Sequence, residues 1–453
     1  MTHSSATDSE GSEGEHRRMR GKGALRAFQS RNFRLFYAGQ SISLIGTWMQ
    51  RIAMGWLVYR LTDSVFMLGF VGFVSALPSF LFSPFAGVLV DRYNRYRLLI
   101  LVQSLALLQA LILACLVLAE VVTIGHVLVL GLLLGLVEAM ELPLRQAFLS
   151  EIVAKQDIGN AIALNSSMVN VSRLLGPSLA GILIALVGEG MCFLLNAISY
   201  LAVIFSLLAM RVSPVLRPAH RSGILKELYE GFAYASAFTA IRNMLLLLAL
   251  TSLMAMPYTV LMPVFAKDVL QGGPHTLGFL LAGAGVGALV GSVYLISRKN
   301  VLGLEKWLTH GACLFGGALI LFALSRVFEL SLLLMVVSGF GMIVQAASTN
   351  TLIQTIVDED KRGRVMSFFA MAWRGMVPFG SLLAGVMADW FGAPLTLAIG
   401  GGCCVAGGLW FASHLSAFRQ QIRPIYQRLG ILSDPDLTGT TAGESHAGRG
   451  ESR

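Results

Sequence analysis

The chain has 453 residues, of which 55% are hydrophobic and only 13% charged, and its net charge is +9. A soluble domain carries about a quarter charged residues, and the apolar residues here run in blocks of about twenty rather than with a helical or strand period, so a soluble globular fold is excluded and bilayer-spanning helices are expected. The positive charge lies mostly in tails and loops, which reads as membrane topology and speaks against a nucleic-acid partner.

In chain order, residues 1–33 form a polar N-terminal tail. Residues 1–22 are rich in Ser, Gly, Glu and Arg, carry no apolar leader segment, and predict disorder. Residues 23–34 predict a short interfacial helix. Spans are predicted at about 34–60, 66–90, 97–119, 124–147, 160–187 and 191–210. After a polar linker at 211–242 they resume at about 243–266, 276–297, 306–325, 329–352, 364–389 and 394–415. Residues 416–453 read as a polar tail. The expected fold is all-α, with twelve transmembrane helices in two six-helix bundles, 34–210 and 243–415. The 48 glycines suit close helix packing in lipid. Basic residues crowd both tails and the even-numbered connections, whereas the odd-numbered ones carry only Arg60, Lys267 and Arg326. Both termini and residues 211–242 are therefore expected in the cytoplasm.

The two halves repeat at an offset of 204 residues. Ile152-Val153 matches Ile356-Val357, and Gly159 matches Gly363. Leu179-Ala180-Gly181 matches Leu383-Ala384-Gly385, and Gly188 matches Gly392. Bundles related by an axis along the membrane normal are one architecture of secondary transporters.

Few polar groups fall inside spans, and such groups usually face the bundle interior. Arg51, Glu138, Glu141, Arg173 and Arg374 are the charged ones. A rise of 1.5 Å per residue places Arg51 and Arg173 near enough in depth to reach Glu138. Glu141 and Arg145 are four residues apart and can pair. Gln50, Asn165, Asn170, Gln345 and Asn350 are candidates to line a cavity or bond across helices. Asp389 and Glu189 lie at helix ends and are expected to be solvated. His126 and His310, near span ends, are weaker proton carriers. Cys115, Cys192, Cys313, Cys403 and Cys404 all lie in apolar runs without ligand spacing to histidine, so no disulfide, metal or cofactor is expected. No phosphate-binding loop or hydrolase triad is present, which argues against an enzyme.

The loop Gly87-Val-Leu-Val-Asp91-Arg92-Tyr-Asn94-Arg95-Tyr-Arg97 joins spans 2 and 3. It resembles the Gly-x-x-x-Asp-Arg-x-Gly-Arg-Arg signature of the major facilitator superfamily. Gly87, Asp91, Arg92 and Arg95 match, with Arg97 near the last basic position. Asn94 stands where the family prefers glycine, and asparagine tolerates the positive φ of a tight turn. Phe33 to Ser64, Pro143 to Glu151 and the run beginning Arg362-Gly-Arg-Val365 narrow the resemblance to the transmembrane secretion effector branch, which includes the enterobactin exporter. Gly176-Pro177-Ser-Leu-Ala-Gly181 resembles the antiporter motif of proton-driven exporters, with a proline-bent helix packed through glycines.

The resemblance implies alternating-access efflux of a small organic molecule (a siderophore, drug or metabolite) coupled to protons. The expected setting is the bacterial inner membrane, with a monomer surrounded by lipid. Proton coupling needs a group that binds a proton in one state and loses it in another, and the charges inside the spans make Glu138, Glu141, Arg51 and Arg173 the candidates, with Arg374 a further cavity candidate; the 87–95 loop is expected to act as a conformational switch. Exporters of this kind usually carry an arginine early in span 4, where this chain has Glu138 and Glu141. The alternatives are a proton-coupled uptake symporter and, further off, a non-transporting receptor or membrane enzyme.

Overall fold

The computed structural model describes residues 26–212, 233–298 and 300–431. After a single 3₁₀ turn at Arg26–Gln29, six long helices follow: α1 (Arg31–Thr62), α2 (Val65–Arg92), α3 (Arg95–Leu118), α4 (Ile124–Ile152), α5 (Ile158–Val187) and α6 (Glu189–Leu208). Helix α7 is broken, running Thr239–Met254, Tyr258–Val264 and a π-helical turn at Phe265–Val269. Then come α8 (Pro274–Ser297), α9 (Leu304–Leu324) and α10 (Phe328–Ile356). Helix α11 is also broken, with a π turn at Met371–Gly375 between Glu359–Ala370 and Val377–Phe391. Helices α12 (Ala393–Ser413) and α13 (Leu415–Arg428) complete the chain. No strand occurs among the described residues.

Among the described residues eleven helices are long and apolar enough to cross a membrane. Helix α1 spans 32 residues but is more polar, because it carries Gln40, Ser43, Thr47, Gln50 and Arg51. Gln40, Ser43 and Gln50 are fully buried against neighbouring helices, so its polar face is kept from lipid by protein. With α1 the protein is a twelve-helix membrane bundle.

Odd-numbered helices start, and even-numbered helices end, at the face that carries both described chain ends, the terminal face. Helix α1 packs on α5 and α6, α2 on α4, and α3 on α4 and α6. Helix α10 packs on α8 and α9, and α12 on α7 and α9. The two sets meet along α5–α8 and α2–α11. Glycines bring these helices together near the far face: a Cβ on Gly181 would lie 2.9 Å from the Gly278 Cα, and one on Gly385 2.9 Å from the Gly69 Cα. Gly188 and Gly392, the repeat's last matched pair, have φ of 82° and 81° and turn the chain between α5 and α6 and between α11 and α12. Both positions require glycine for the same left-handed backbone.

The apolar core reflects this arrangement. At the far face one cluster is continuous across both sets of helices, from Leu57, Leu130 and Phe193 to Phe265, Phe322 and Leu397. At the terminal face the core divides in two. One part centres on Phe33, Leu99 and Phe148, the other on Ile241, Leu308 and Phe418. The far face is further tied by Lys267 Nζ donating to Asp63 at 2.6 Å and by the Tyr59 hydroxyl donating to Asp268.

One sequence expectation needs correction, and two placements add to the reading. Asn94 has φ −63° and does not form a left-handed turn; its side chain accepts from the Arg97 amide and caps α3. His126 caps α4, its Nδ1 accepting from the Thr123 amide. Residues 416–428 of the polar tail lie in helix α13. Phe418, Ile422 and Tyr426 recur every four residues along α13 and bury against the bundle. Most of the 211–242 linker lies outside the described residues.

Candidate functional site

Helix α1 brings Trp48, Gln50 and Arg51 to mid-depth, facing Glu138, Glu141 and Arg145 on α4 and Arg173 on α5. The glycine at 176 makes the α1–α5 approach possible, because a Cβ there would overlap the Trp48 side chain. Helix α5 continues unbroken through Pro177, and Gly181 seats it on α8.

The Trp48 ring has two guanidinium neighbours. The Arg51 Cζ lies 5.0 Å and the Arg173 Cζ 5.4 Å from the ring centroid, a double cation–π arrangement. Arg51 also donates to Glu138 at 2.7 Å. One turn away, Arg145 pairs with Glu141 at 3.7 Å, and Gln40 Nε2 donates to the same Glu141 oxygen at 3.3 Å. Arg374 sits on the π turn of α11 and is exposed. A π turn rotates the residues it carries relative to a regular helix, and such turns recur at functional sites.

The two ion pairs live in different surroundings. The Arg145 and Glu141 side chains are 9% and 16% accessible, whereas Arg51 keeps 44% of its side-chain surface and Glu138 26%. The Arg145–Glu141 pair is therefore nearly sealed by its neighbours, whereas the Arg51–Glu138 pair is not. A carboxylate in such a place can exchange an arginine partner for a proton when the helices shift, since an adjacent cation lowers its proton affinity and burial raises it.

The neutral candidates are placed differently. Gln50 donates to Gln109 at 2.9 Å and accepts from Asn196 at 2.6 Å, and all three are buried. Gln345 donates to Thr251 at 3.0 Å, also buried. It stands 204 residues after Glu141, and Thr251 stands 204 after Thr47. The second half therefore has a neutral amide where the first has a carboxylate. Asn165 has its side-chain carbonyl buried without a partner. Asn170 is half-buried, and Asn350 accepts from Gln354 on the next turn.

Gly87 and Asp91 fall in the last turns of α2, and the Asp91 side chain lies outside the described residues. Arg92 ends α2 and is exposed. Arg95 pairs with Glu151 at 2.9 Å, both side chains nearly buried, and so joins the start of α3 to the end of α4. Asp389 is exposed at the end of α11. Glu189, expected to be solvated, is instead buried and paired with Arg60 at 2.8 Å.

Sequence reasoning missed Trp48, because its role depends on which helices flank it. It also missed the π turns, for which Pro257, Pro263 and Pro378 were the available signals. Among the described residues no cluster of three or more His, Cys, Asp or Glu is placed to hold a metal ion.

The transmembrane secretion effector family matches residues 22–424. The staphyloferrin A transporter of Staphylococcus aureus (strain NCTC 8325 / PS 47) is 30% identical over 372 residues, covering 81% of this chain and 92% of that protein. The enterobactin exporter EntS of Escherichia coli O1:K1 / APEC is 24% identical over 369 residues, covering 80% of this chain and 86% of that one. In fold, the chain is similar to the crystal structure of a bacterial homologue of the iron transporter ferroportin, with a TM-score of 0.67 at 16% identity over 84% of this chain and 98% of that one. A twelve-helix bundle, matched by this family over most of its length, leaves one conclusion: the chain belongs to the transmembrane secretion effector family of major facilitator transporters.

Proposed function

We propose that this transporter exports a small organic molecule, of the siderophore class carried by its relatives, across the bacterial inner membrane in exchange for protons. The observation that carries the reading is the accessible Arg51–Glu138 pair inside the bundle. A carboxylate that keeps a counter-ion and still touches open space is suited to load and release a proton. In this account residues 34–210 and 243–415 are the two moving bundles, and they rock about the α5–α8 and α2–α11 seams. Both termini lie in the cytoplasm, on the strength of the basic tails and even-numbered connections. The split core at the terminal face then corresponds to a state open to the cytoplasm, and the far-face ties hold the outer gate shut. The working unit is a monomer in lipid, and Asp91 acts as a switch at the cytoplasmic end of α2.

Staphyloferrin A and enterobactin, named for two relatives, are the probes for the test. Inside-out vesicles with an acid interior should accumulate one of them above vesicles lacking the protein, and a protonophore should abolish the accumulation. Accumulation indifferent to the protonophore contradicts proton coupling. Accumulation only in right-side-out vesicles would identify an uptake symporter instead.

A further inference from the structure

Trp48 lies where two cations meet. The Arg51 Cζ is 5.0 Å and the Arg173 Cζ 5.4 Å from its ring centroid. The negative face of the ring offsets the repulsion between guanidinium groups brought this close. The ring is placed from its backbone end, not by the arginines. Trp48 stands three residues before Arg51 on α1, and Arg173 three residues before Gly176 on α5. Each arginine is therefore one helical turn from the point where Trp48 and Gly176 meet. A Cβ at position 176 would overlap the Trp48 Cβ, so the two helices press together there and fix the root of the indole.

Arg51 depends on such a support. It reaches Glu138 by one bond, Nη2 to Oε1 at 2.7 Å, and keeps 44% of its side-chain surface. An accessible pair is weak when a single bond must hold a long side chain in one rotamer. The other charged or titratable groups nearby do not supply the missing anchor. Glu141 and Arg145, on the same helix as Glu138, hold one another at 3.7 Å. Tyr200 on α6 has its hydroxyl 3.2 Å from that of Thr47. Arg374 on α11 is exposed, and α2 and α3 carry no charged side chain between their terminal turns.

We propose that Trp48 is a positioning residue for the proton-loading carboxylate: its ring holds Arg51 on Glu138 and screens Arg51 from Arg173. This role rests on reading Glu138 as the proton site. It gives that site a tuning residue that never carries a proton itself. With the ring gone, Arg51 meets the unscreened repulsion of Arg173 and leaves Glu138 for part of the time. A carboxylate that loses its cation binds a proton more readily.

The test is an infrared pH titration of the detergent-purified full-length protein. The protonated-acid carbonyl band that the parent shows and Glu138→Gln lacks reports Glu138. Trp48→Leu should move its midpoint to higher pH by about half a unit, a roughly threefold rise in proton affinity, the worth of one accessible cation–π contact. Trp48→Phe keeps a weaker ring face and should fall between parent and Trp48→Leu; it serves against the parent where the leucine variant does not accumulate. Arg51→Gln should move the midpoint at least as far, and adding Trp48→Leu to it should move it no further, because both act through one contact. An unmoved midpoint in the Trp48 variants, equal shifts for Phe and Leu, a shift that adds in full to that of Arg51→Gln, or a parent without a Glu138 band would each overturn the proposal. The titration needs no substrate and no gradient. Shifted midpoints with vesicle accumulation absent would contradict proton-driven export alone, and accumulation with unmoved midpoints would contradict the Trp48 role alone.

Discussion

Glu138 and Glu141 are separated by less than one helical turn, yet their surroundings differ. Helical rise put Arg51 and Glu138 at reachable depths, and the i,i+4 spacing put Arg145 beside Glu141; the structure forms both pairs. What spacing could not show is accessibility, which depends on how the neighbouring helices close around each pair. Glu189 was misread for the same reason: its place at a helix end suggested water, but α1 brings Arg60 over it. Trp48 was legible only as one aromatic in an apolar run, because a double cation–π contact needs a partner from another helix. The difference in burial separates the two carboxylates experimentally. Glu141→Gln leaves the Arg145 guanidinium buried without its counter-ion, at a cost of about 3–5 kcal/mol. It should sharply reduce the yield of monodisperse protein in detergent. Glu138→Gln leaves Arg51 facing open space and should purify at close to parental yield. Parental yield for both variants would show that burial at Arg145 does not distinguish the pairs.

At the scale of elements, the helices' existence and order were readable from apolar runs, and most ends fell within a few residues of the predicted ones. The irregularities were harder. The breaks in α7 and α11 follow prolines whose structural effect depends on neighbouring helices. Helix α13 escaped notice because it is short and amphipathic rather than apolar throughout. It is fixed by Arg419 to Glu305 at 3.0 Å and by Arg428 to Asp358 at 3.3 Å, and it buries Tyr426. The Tyr426 hydroxyl has no hydrogen-bond partner, and burial, aided by Glu305, pushes its phenol up from the ordinary 10.0 to about 12. Between those values the unfolded chain has released the phenolic proton and the folded chain has not. The unfolded state then binds fewer protons, so stability falls as pH rises through that window. Tyr426→Phe removes this contribution. Its melting temperature should be at or slightly above the parent's at neutral pH, since an unpaired buried hydroxyl costs about 1 kcal/mol or more. It should also fall less than the parent's between about pH 10 and 11. An identical alkaline loss in both proteins would place Tyr426 in water.

For the whole molecule, the internal repeat was the most informative feature of the sequence. Its matched glycines turn out to have matched tasks: Gly181 and Gly385 seat the two seams, and Gly188 and Gly392 turn the chain in the same left-handed backbone. The repeat did not show how the halves would diverge. The first half keeps carboxylates, whereas the second has Gln345 in the equivalent place and contributes Arg374 from a π turn. On the proposed reading, that asymmetry assigns proton handling to the first bundle. It makes Glu138 the central element of the account, and one comparison tests it most directly. Parent and Glu138→Gln proteins are reconstituted at equal density, and driven accumulation under an imposed pH gradient is measured beside gradient-free exchange of the same substrate. The account predicts that Glu138→Gln loses gradient-driven accumulation and keeps exchange. Accumulation at the parental rate by Glu138→Gln would contradict it.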